Sequence, residues 1–320
     1  MDVITIGETM VVFEASSQGP LRYTHTFTKR HGGAESNVAI GIQRLGYSSR
    51  WMSQVGDDEL GQYLLQAIRG EGVDTSYVQT TADAPTGLFI KEFRRPNESS
   101  VHYYRAGSAA SLMNSEQVEE QLFSDAKVLH ITGITPLISP ECDDVLTTAI
   151  SYAKKLGLYV SFDPNLRFKI MEQYGEERAR IRMRELAGLS DLFLPGADEA
   201  EWMYGTDQDD EIAKLAFIDG AKRIVIKSGA SHSYYAEQGG SSGYVKSHTV
   251  NQIVDPIGAG DGFASGVIVG LLEGKSLHDA VDLGAAVGAL VVSSPGDIEG
   301  LPTRVEVKAF LNNTNSDVLR

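Results

Sequence analysis

The chain has a single cysteine, Cys142, in 320 residues, so it forms no intrachain disulfide and suits a reducing cytosol. It also lacks any long hydrophobic run. The longest, residues 263–272 and 283–292, are about ten residues, against the roughly twenty needed to cross a bilayer. Basic residues are scarce: 28 Lys and Arg face 43 Asp and Glu, a net charge of −15. That balance argues against a general nucleic-acid binder, which needs clustered cations, and against adsorption to an anionic membrane. The first residues, with an acid at position 2 running straight into a strand-like segment, lack the basic start and longer apolar core of a secretory signal. A cytoplasmic protein is expected. Seven histidines show no HExxH spacing, and there is no GxSxG elbow, no GxxxxGK[ST] loop and no GxGxxG after the first strand. What remains is an ordinary globular composition, 42% hydrophobic and 22% charged.

Residues 3–6, closed by Gly7, read as a buried strand, and similar runs occur at 128–131, 158–162, 192–194 and 223–226. Between them lie helical patterns at 141–155, 176–186 and 210–220. Strands alternating with helices of this length imply βαβ crossovers and a mostly parallel sheet, here a doubly wound α/β core from about residue 128 onward. The first hundred residues differ. Residues 86–94 and 100–105 are β-rich runs with no room for a helix between them, hence a hairpin, and 10–29 is short strands and turns, with helical stretches at 35–45 and 59–69. We expect a small β-sheet built from about 10–30 and 86–105 within a single 1–320 unit. It forms either one wall of a cleft at the carboxyl edge of the parallel sheet, where α/β folds bind ligands, or a decorative or dimerisation hairpin.

The sharpest chemical signal is Asp255-Pro256-Ile257-Gly258-Ala259-Gly260-Asp261, followed by an apolar helix at 262–273. Small residues at Gly258, Ala259 and Gly260 let backbone amides approach an anion, with the positive helix end behind them. Asp261, in the first turn, could then take a proton from a hydroxyl attacking a phosphoryl group. The same residues also suit a plain tight turn with an acidic helix start. Gly262, Gly266 and Gly270 leave one helix face bare, fit to pack against the small-residue helix at 280–292, and Gly274 ends the helix. A second glycine pair, Gly32-Gly33, precedes Asn37, whose amide offers both donor and acceptor to a polyhydroxy ligand. Arg105 ends the second hairpin strand, and Arg167 follows the strand end Asp163-Pro164-Asn165. In so acidic a chain, two arginines at expected cleft edges point to an anionic ligand. Lys227-Ser228-Gly229 follows another strand at the same edge. Glu199 opens a helix, where it serves either an indirectly held magnesium ion or simply the helix dipole.

Taken in order, GE (Gly7, Glu8), GGAESN (32–37), GDDELG (56–61), DPN (163–165), KSG (227–229) and DPIGAGD (255–261) resemble the ribokinase-like, or PfkB, family of carbohydrate kinases across nearly the whole chain. The resemblance implies a three-layer α/β core with a β-sheet lid that mediates homo-oligomers, and ATP with Mg2+, plus a monovalent cation, as cofactors. It implies Asp261 as catalytic base with Gly258, Ala259 and Gly260 as anion hole. It implies a nucleotide side of Asn165, Lys227, Ser228, Gly229, Ala286 and Ala289. HYYRAGSAAS (102–111), HITGITPLISP (130–140), DPNLR (163–167) and SPGDIEG (294–300) resemble the members that act on a keto-deoxy sugar acid. The implied reaction moves the ATP γ-phosphate to the 6-hydroxyl of 2-keto-3-deoxygluconate. The implied sugar side is Gly33, Asn37, Phe89 (where the family carries Tyr), Tyr103, Arg105, Arg167 and Asp297. A kinase of a neutral sugar such as fructose or ribose, or a non-catalytic sensor on the same fold, are the alternatives. The family's NxxE magnesium motif stands here as Gly196-Ala197-Asp198-Glu199.

Overall fold

The computed structural model describes residues 1–95, 98–167, 171 and 174–312. A nine-stranded sheet runs through its centre. The chain enters at β1 (Val3–Ile6), beside β4 (Ser49–Gly56) and β5 (Val78–Thr81) on one flank. On the other flank follow β8 (Val128–Thr132), β9 (Tyr159–Asp163), β10 (Leu192–Phe193), β11 (Arg223–Ser228), β12 (His232–Glu237) and β13 (Ser242–Lys246). From β5 to β11 every pairing is parallel, and the final two are antiparallel. The core is therefore wider than the region from residue 128 onward, since β1, β4 and β5 supply three of its parallel strands.

Alternate strand residues point to opposite faces, and both faces are apolar, as a sheet covered on two sides requires. Ile4, Leu129, Val160 and Ile224 pack against α3 (Pro140–Leu156), α4 (Glu176–Leu189), α5 (Ala197–Tyr204) and α6 (Asp209–Asp219). Val3, Val128, Leu192 and Val225 pack against α1 (Ala34–Arg44), α7 (Ala259–Leu272) and α8 (Leu277–Val291). Of the remaining described α-helices, α2 (Glu59–Gly70) packs Leu64, Leu65 and Ile68 with Trp51 and Val55 of β4, and α9 (Arg304–Leu311) lies beside α8.

The glycine stripe of α7 does what its spacing suggests. A Cβ on Gly266 would lie 2.7 Å from the Gly284 Cα, and one on Gly270 would lie 2.7 Å from the Ala280 Cα, so α7 and α8 touch backbone to backbone. Gly274, at φ +73°, follows the helix end.

A separate four-stranded sheet, ordered β3 (Phe27–Gly32), β2 (Met10–Gln18), β6 (Leu88–Arg95) and β7 (Glu98–Tyr104), stands beside the carboxyl edge of the parallel strands. Its register places Val12, Glu14, Arg30, Phe89, Lys91, Val101 and Tyr103 on one face. That face meets the core through three ion pairs: Arg105 with Glu8, Lys91 with Asp255 and Arg30 with Glu299.

Candidate active site

The start of α7 brings the predicted anion loop to the cleft. Gly258 caps the helix in the left-handed region, φ +77°, and any Cβ there would meet the Asp297 carbonyl oxygen at 2.2 Å, so glycine is required on two counts. The Ala259 N–H is turned back to the Pro256 carbonyl at 3.3 Å. This corrects the expectation of three free amides: among the described residues, the backbone donors left for a ligand at 258–260 are those of Gly258 and Gly260. Gly260 lines a cavity of about 450 Å³.

Asp261 lies one residue further on, 7% exposed. Asn37 Nδ2 donates to its Oδ2 at 2.7 Å, and Asn165 Nδ2 donates to its Oδ1 at 3.2 Å. Each asparagine is held by local design. Asn37 sits in the first turn of α1, whose start is fixed by the fully buried Glu35. The Thr132 and Thr135 hydroxyls donate to one Glu35 oxygen at 2.5 and 2.9 Å, and a side chain on Gly7 would collide with that carboxyl group. Burial pushes the Glu35 pKa above the usual carboxylate range. Asn165 adopts φ +44°, a conformation that favours Asn over most non-glycine residues, immediately after the β9 strand end. The Oδ1 atoms of both asparagines are buried with no partner among the described residues, acceptors that a hydroxyl-bearing ligand would satisfy.

Burial raises the Asp261 pKa to about 7, with Asp163 and Asp297 pushing the same way and the Asn37 bond and Arg167 opposing. Such a carboxylate titrates near neutrality, where a general base works best. Asp297 is raised to about 6, by burial first and then by Asp255 and Glu299, against Lys91 and Arg167. Its carboxylate fills the space left by Gly32, and Gly33 next to it is pressed against the Glu8 carbonyl. Arg167 is exposed on the loop after β9, within electrostatic reach of both acids.

Arg105 departs from expectation. Its guanidinium is already engaged, lying 2.5 Å from the Glu8 carboxylate without hydrogen-bond geometry, while the Ser108 hydroxyl donates to the other Glu8 oxygen at 2.5 Å. Phe89 and Tyr103 face each other across β6 and β7, ring centroids 5.6 Å apart, and the Arg105 guanidinium lies 6.0 Å from the Tyr103 ring. A more open cavity of about 770 Å³ borders Tyr103 and Arg105 at the edge of β7.

On the other side of Gly260 the 450 Å³ cavity is lined by Lys227, Gly229, His248, Ile253, Phe263 and Ala289, among others, an apolar slot with a cation at its mouth. Gly229 holds φ +58° at the end of β11. Ser228 pairs with His232 in the hairpin and does not line the slot. Ala286 is a second correction: it is fully buried in the apolar core and does not line the slot, and Ala285, Gly288 and Ala289 form the wall instead. Lys227 Nζ donates to Asp163 at 2.6 Å, and its pKa stays raised despite burial because Asp163, Glu199 and Asp261 surround it.

Glu199 accepts the Leu166 and Gly196 backbone amides, each at 2.7 Å, so both oxygens organise the loop carrying Asn165 and the start of α5. With those oxygens engaged and Asp163 on Lys227, the residues present do not form a direct cage for a divalent ion. No group of three or more potential ligands occurs among the described residues. Asp163, Glu8, Lys91 and Asp255 were not singled out from sequence as site residues. Asp163, at the carboxyl end of a buried strand, carried the signal that could have found it; the slot wall at 247–253 carried none.

A buried carboxylate of neutral pKa beside an amide loop, with an apolar slot on one side and a polar cleft on the other, is the arrangement of an α/β phosphotransferase with an alcohol acceptor. The chain belongs to the family whose model is described as pfkB family carbohydrate kinase, which matches residues 1–304. It is 41% identical to a 2-dehydro-3-deoxygluconokinase of Bacillus subtilis, over 98% of this chain and 96% of that one. Among solved structures it resembles a PfkB protein of Polaromonas (TM-score 0.86, 39% identity, 96% and 99% of the two chains). It also resembles an Escherichia coli protein described as a ribokinase II, solved with ATP and Mg2+ (TM-score 0.89, 25% identity, 98% and 99%). It is a carbohydrate kinase that phosphorylates a sugar at the expense of ATP. No described helix is long and apolar enough to cross a membrane.

If Asp261 must be ionised to act, kcat/KM falls as pH drops below about 7. Because the Asn37 bond holds that pKa down, Asn37→Ala moves this acid limb to higher pH. A pH–rate profile whose limb stays in place or moves lower contradicts the arrangement.

Proposed function

We propose that the sugar is 2-keto-3-deoxygluconate and that the γ-phosphoryl group of ATP is transferred to its 6-hydroxyl. The hydroxyl oxygen attacks phosphorus as Asp261 accepts its proton, the bond to the β-phosphate oxygen breaks, and ADP leaves. Asn37 and Asn165 each occupy one lone pair of the Asp261 carboxylate, which leaves others to receive the substrate hydroxyl. The Gly258 and Gly260 amides and the α7 N-terminus meet the charge that develops on the phosphoryl oxygens. Adenosine occupies the slot by Gly229, His248 and Ala289, with Lys227 at the phosphates. Magnesium would supply positive charge at the phosphates when bound with the nucleotide, and Glu199 would act only indirectly, through the loop it organises.

The observation that carries this reading is the neutral-pKa carboxylate clamped by two asparagines beside the amide loop. The choice of a sugar acid is supported by the 41% identity to an enzyme of that name and by Arg167, whose exposed guanidinium can meet the C1 carboxylate. One observation favours a neutral sugar instead: the charge of Arg105 is already met by Glu8. We assign the small sheet as a lid over the sugar within one kinase domain, and place the enzyme in the cytoplasm, where its ATP is and where its one cysteine stays reduced. Phe27 and Tyr104, exposed on the sheet face opposite Lys91 and Tyr103, support a homo-oligomer formed through it. Light scattering that returns the monomer mass at working concentration contradicts that last assignment.

An ADP-release assay over sugars and sugar acids should show turnover with 2-keto-3-deoxygluconate well above that with fructose or ribose. Arg167→Ala should lower kcat/KM for the acid by about 10- to 100-fold, the loss expected of one charged hydrogen bond, and spare neutral sugars. Preference for fructose, or equal loss on both substrate classes, overturns the sugar-acid reading. Replacing potassium by tetramethylammonium in the same assay reads the expected dependence on a monovalent cation.

A further inference from the structure

A lysine from the small sheet reaches into the loop that opens the anion site. Lys91, on β6, is 4% exposed, and its Nζ donates to Asp255 Oδ2 at 2.8 Å across 164 residues of sequence. The other Asp255 oxygen accepts the Ile257 N–H at 3.1 Å, and the Asp255 backbone N–H donates to Val292 O at 3.3 Å. Asp255 thus sets the turn that delivers Gly258, and Lys91 holds Asp255. Around the same loop stand two further acids, Asp297, whose carbonyl packs on Gly258, and Glu299, which Arg30 engages. Left uncompensated, the Asp255 charge would sit at the entrance of a loop whose task is to receive phosphate, and like charge at that range in a partly buried site is strongly unfavourable.

We infer that Lys91 is a positioning residue for phosphoryl transfer: its ammonium neutralises Asp255 and locks the 255–260 turn, so the amide loop is fully formed only while the small sheet is seated on the core. Phe89 lies two residues earlier on the same strand face, with Tyr103 opposite it, so a sugar held there presses the sheet into the position that places Lys91. The ion pair makes the phosphate side of the site conditional on the sugar side. This inference rests on the assignment of residues 258–260 as the phosphate loop.

The test is made on the full chain, with kcat, both KM values, thermal unfolding and the pH–rate profile measured for Lys91→Met and Lys91→Gln. The second keeps a donor on a side chain one atom shorter and removes the charge, so it serves if the first does not fold. The expected result is a fall of about 10- to 100-fold in kcat, the scale of losing one charged contact, with a smaller change in the KM for sugar and the acid limb left where wild type has it. Added ammonium chloride, small enough to enter the space that the Lys91 ammonium vacates in Lys91→Met, restores turnover several-fold over an equal concentration of tetramethylammonium chloride, while wild type in saturating potassium responds alike to both salts. Unchanged kcat in either variant, or a loss in Lys91→Met that ammonium leaves in place, overturns the inference. The wild-type profile judges the phosphate-loop and base assignments separately: absence of any acid limb near pH 7 defeats those, whatever the Lys91 variants do.

Discussion

Placing an ionised carboxylate where water is largely excluded is costly, and the arrangement around Asp261 turns on that cost. Raising its pKa from 3.8 to about 7 corresponds to about 4 kcal/mol of destabilisation of the folded state once the group is ionised. The sign is that of a raised carboxylate: the penalty is absent below pH 4, grows as pH rises toward 7, and is complete above it. A residue kept for stability alone would not occupy this place. Two neutral amide donors soften the penalty without neutralising the group, whereas an arginine or lysine in direct contact would have held the carboxylate too weakly basic to take a proton near pH 7. The nearby cations are instead bound elsewhere, Lys227 on Asp163 and Lys91 on Asp255, or stand at a distance, as Arg167 does.

Holding that geometry demands a stiff frame. The α7 helix carrying Asp261 is wedged against α8 with no side chains between their backbones at Gly266 and Gly270, which leaves little freedom for its first turn to rotate. Asn37 is fixed through Glu35 and two threonines of the β8 region, and Asn165 by a loop tied to Glu199. The residues proposed to meet the sugar, by contrast, sit on a separate four-stranded sheet, joined to the core by ion pairs at Glu8, Asp255 and Glu299 on one face and by packing of Val11, Phe13 and Leu88 with Trp51 and Leu64 on the other. The site thus combines a rigid helix start with a small sheet seated by both charge and apolar packing.

Much of this was legible in the sequence, for identifiable reasons. Residues 3–6 match β1 at both ends, because four buried apolar residues closed by glycine have few other readings. The glycine spacing of α7 and the Gly274 stop were read correctly, since bare backbone has an unambiguous packing consequence. The loop at 255–261 declared itself through small residues before an apolar helix. Other elements did not. Strand β4, with Arg50, Ser53 and Gln54 among its residues, is buried yet follows no simple alternation, and β12 and β13 end the sheet in an antiparallel hairpin that the βαβ rhythm did not suggest. The face of α8 that walls the slot was assigned at Ala286 and Ala289, and only the latter is there, because a helix of small residues all round carries no amphipathic signal to fix its rotation. The Arg105–Glu8 and Lys91–Asp255 pairs join residues 97 and 164 apart, and no local pattern announces a long-range ion pair.

The most direct measurement is single-turnover phosphoryl transfer from γ-labelled ATP by Asp261→Asn, alongside calorimetric titration of the sugar acid. Asparagine keeps the shape but cannot accept the proton. The account predicts transfer slowed by about 10²- to 10⁴-fold with sugar affinity nearly unchanged, the signature of a lost general base. Transfer at the wild-type rate would show that the proton leaves by another route and that the buried carboxylate at the head of α7 is not the base.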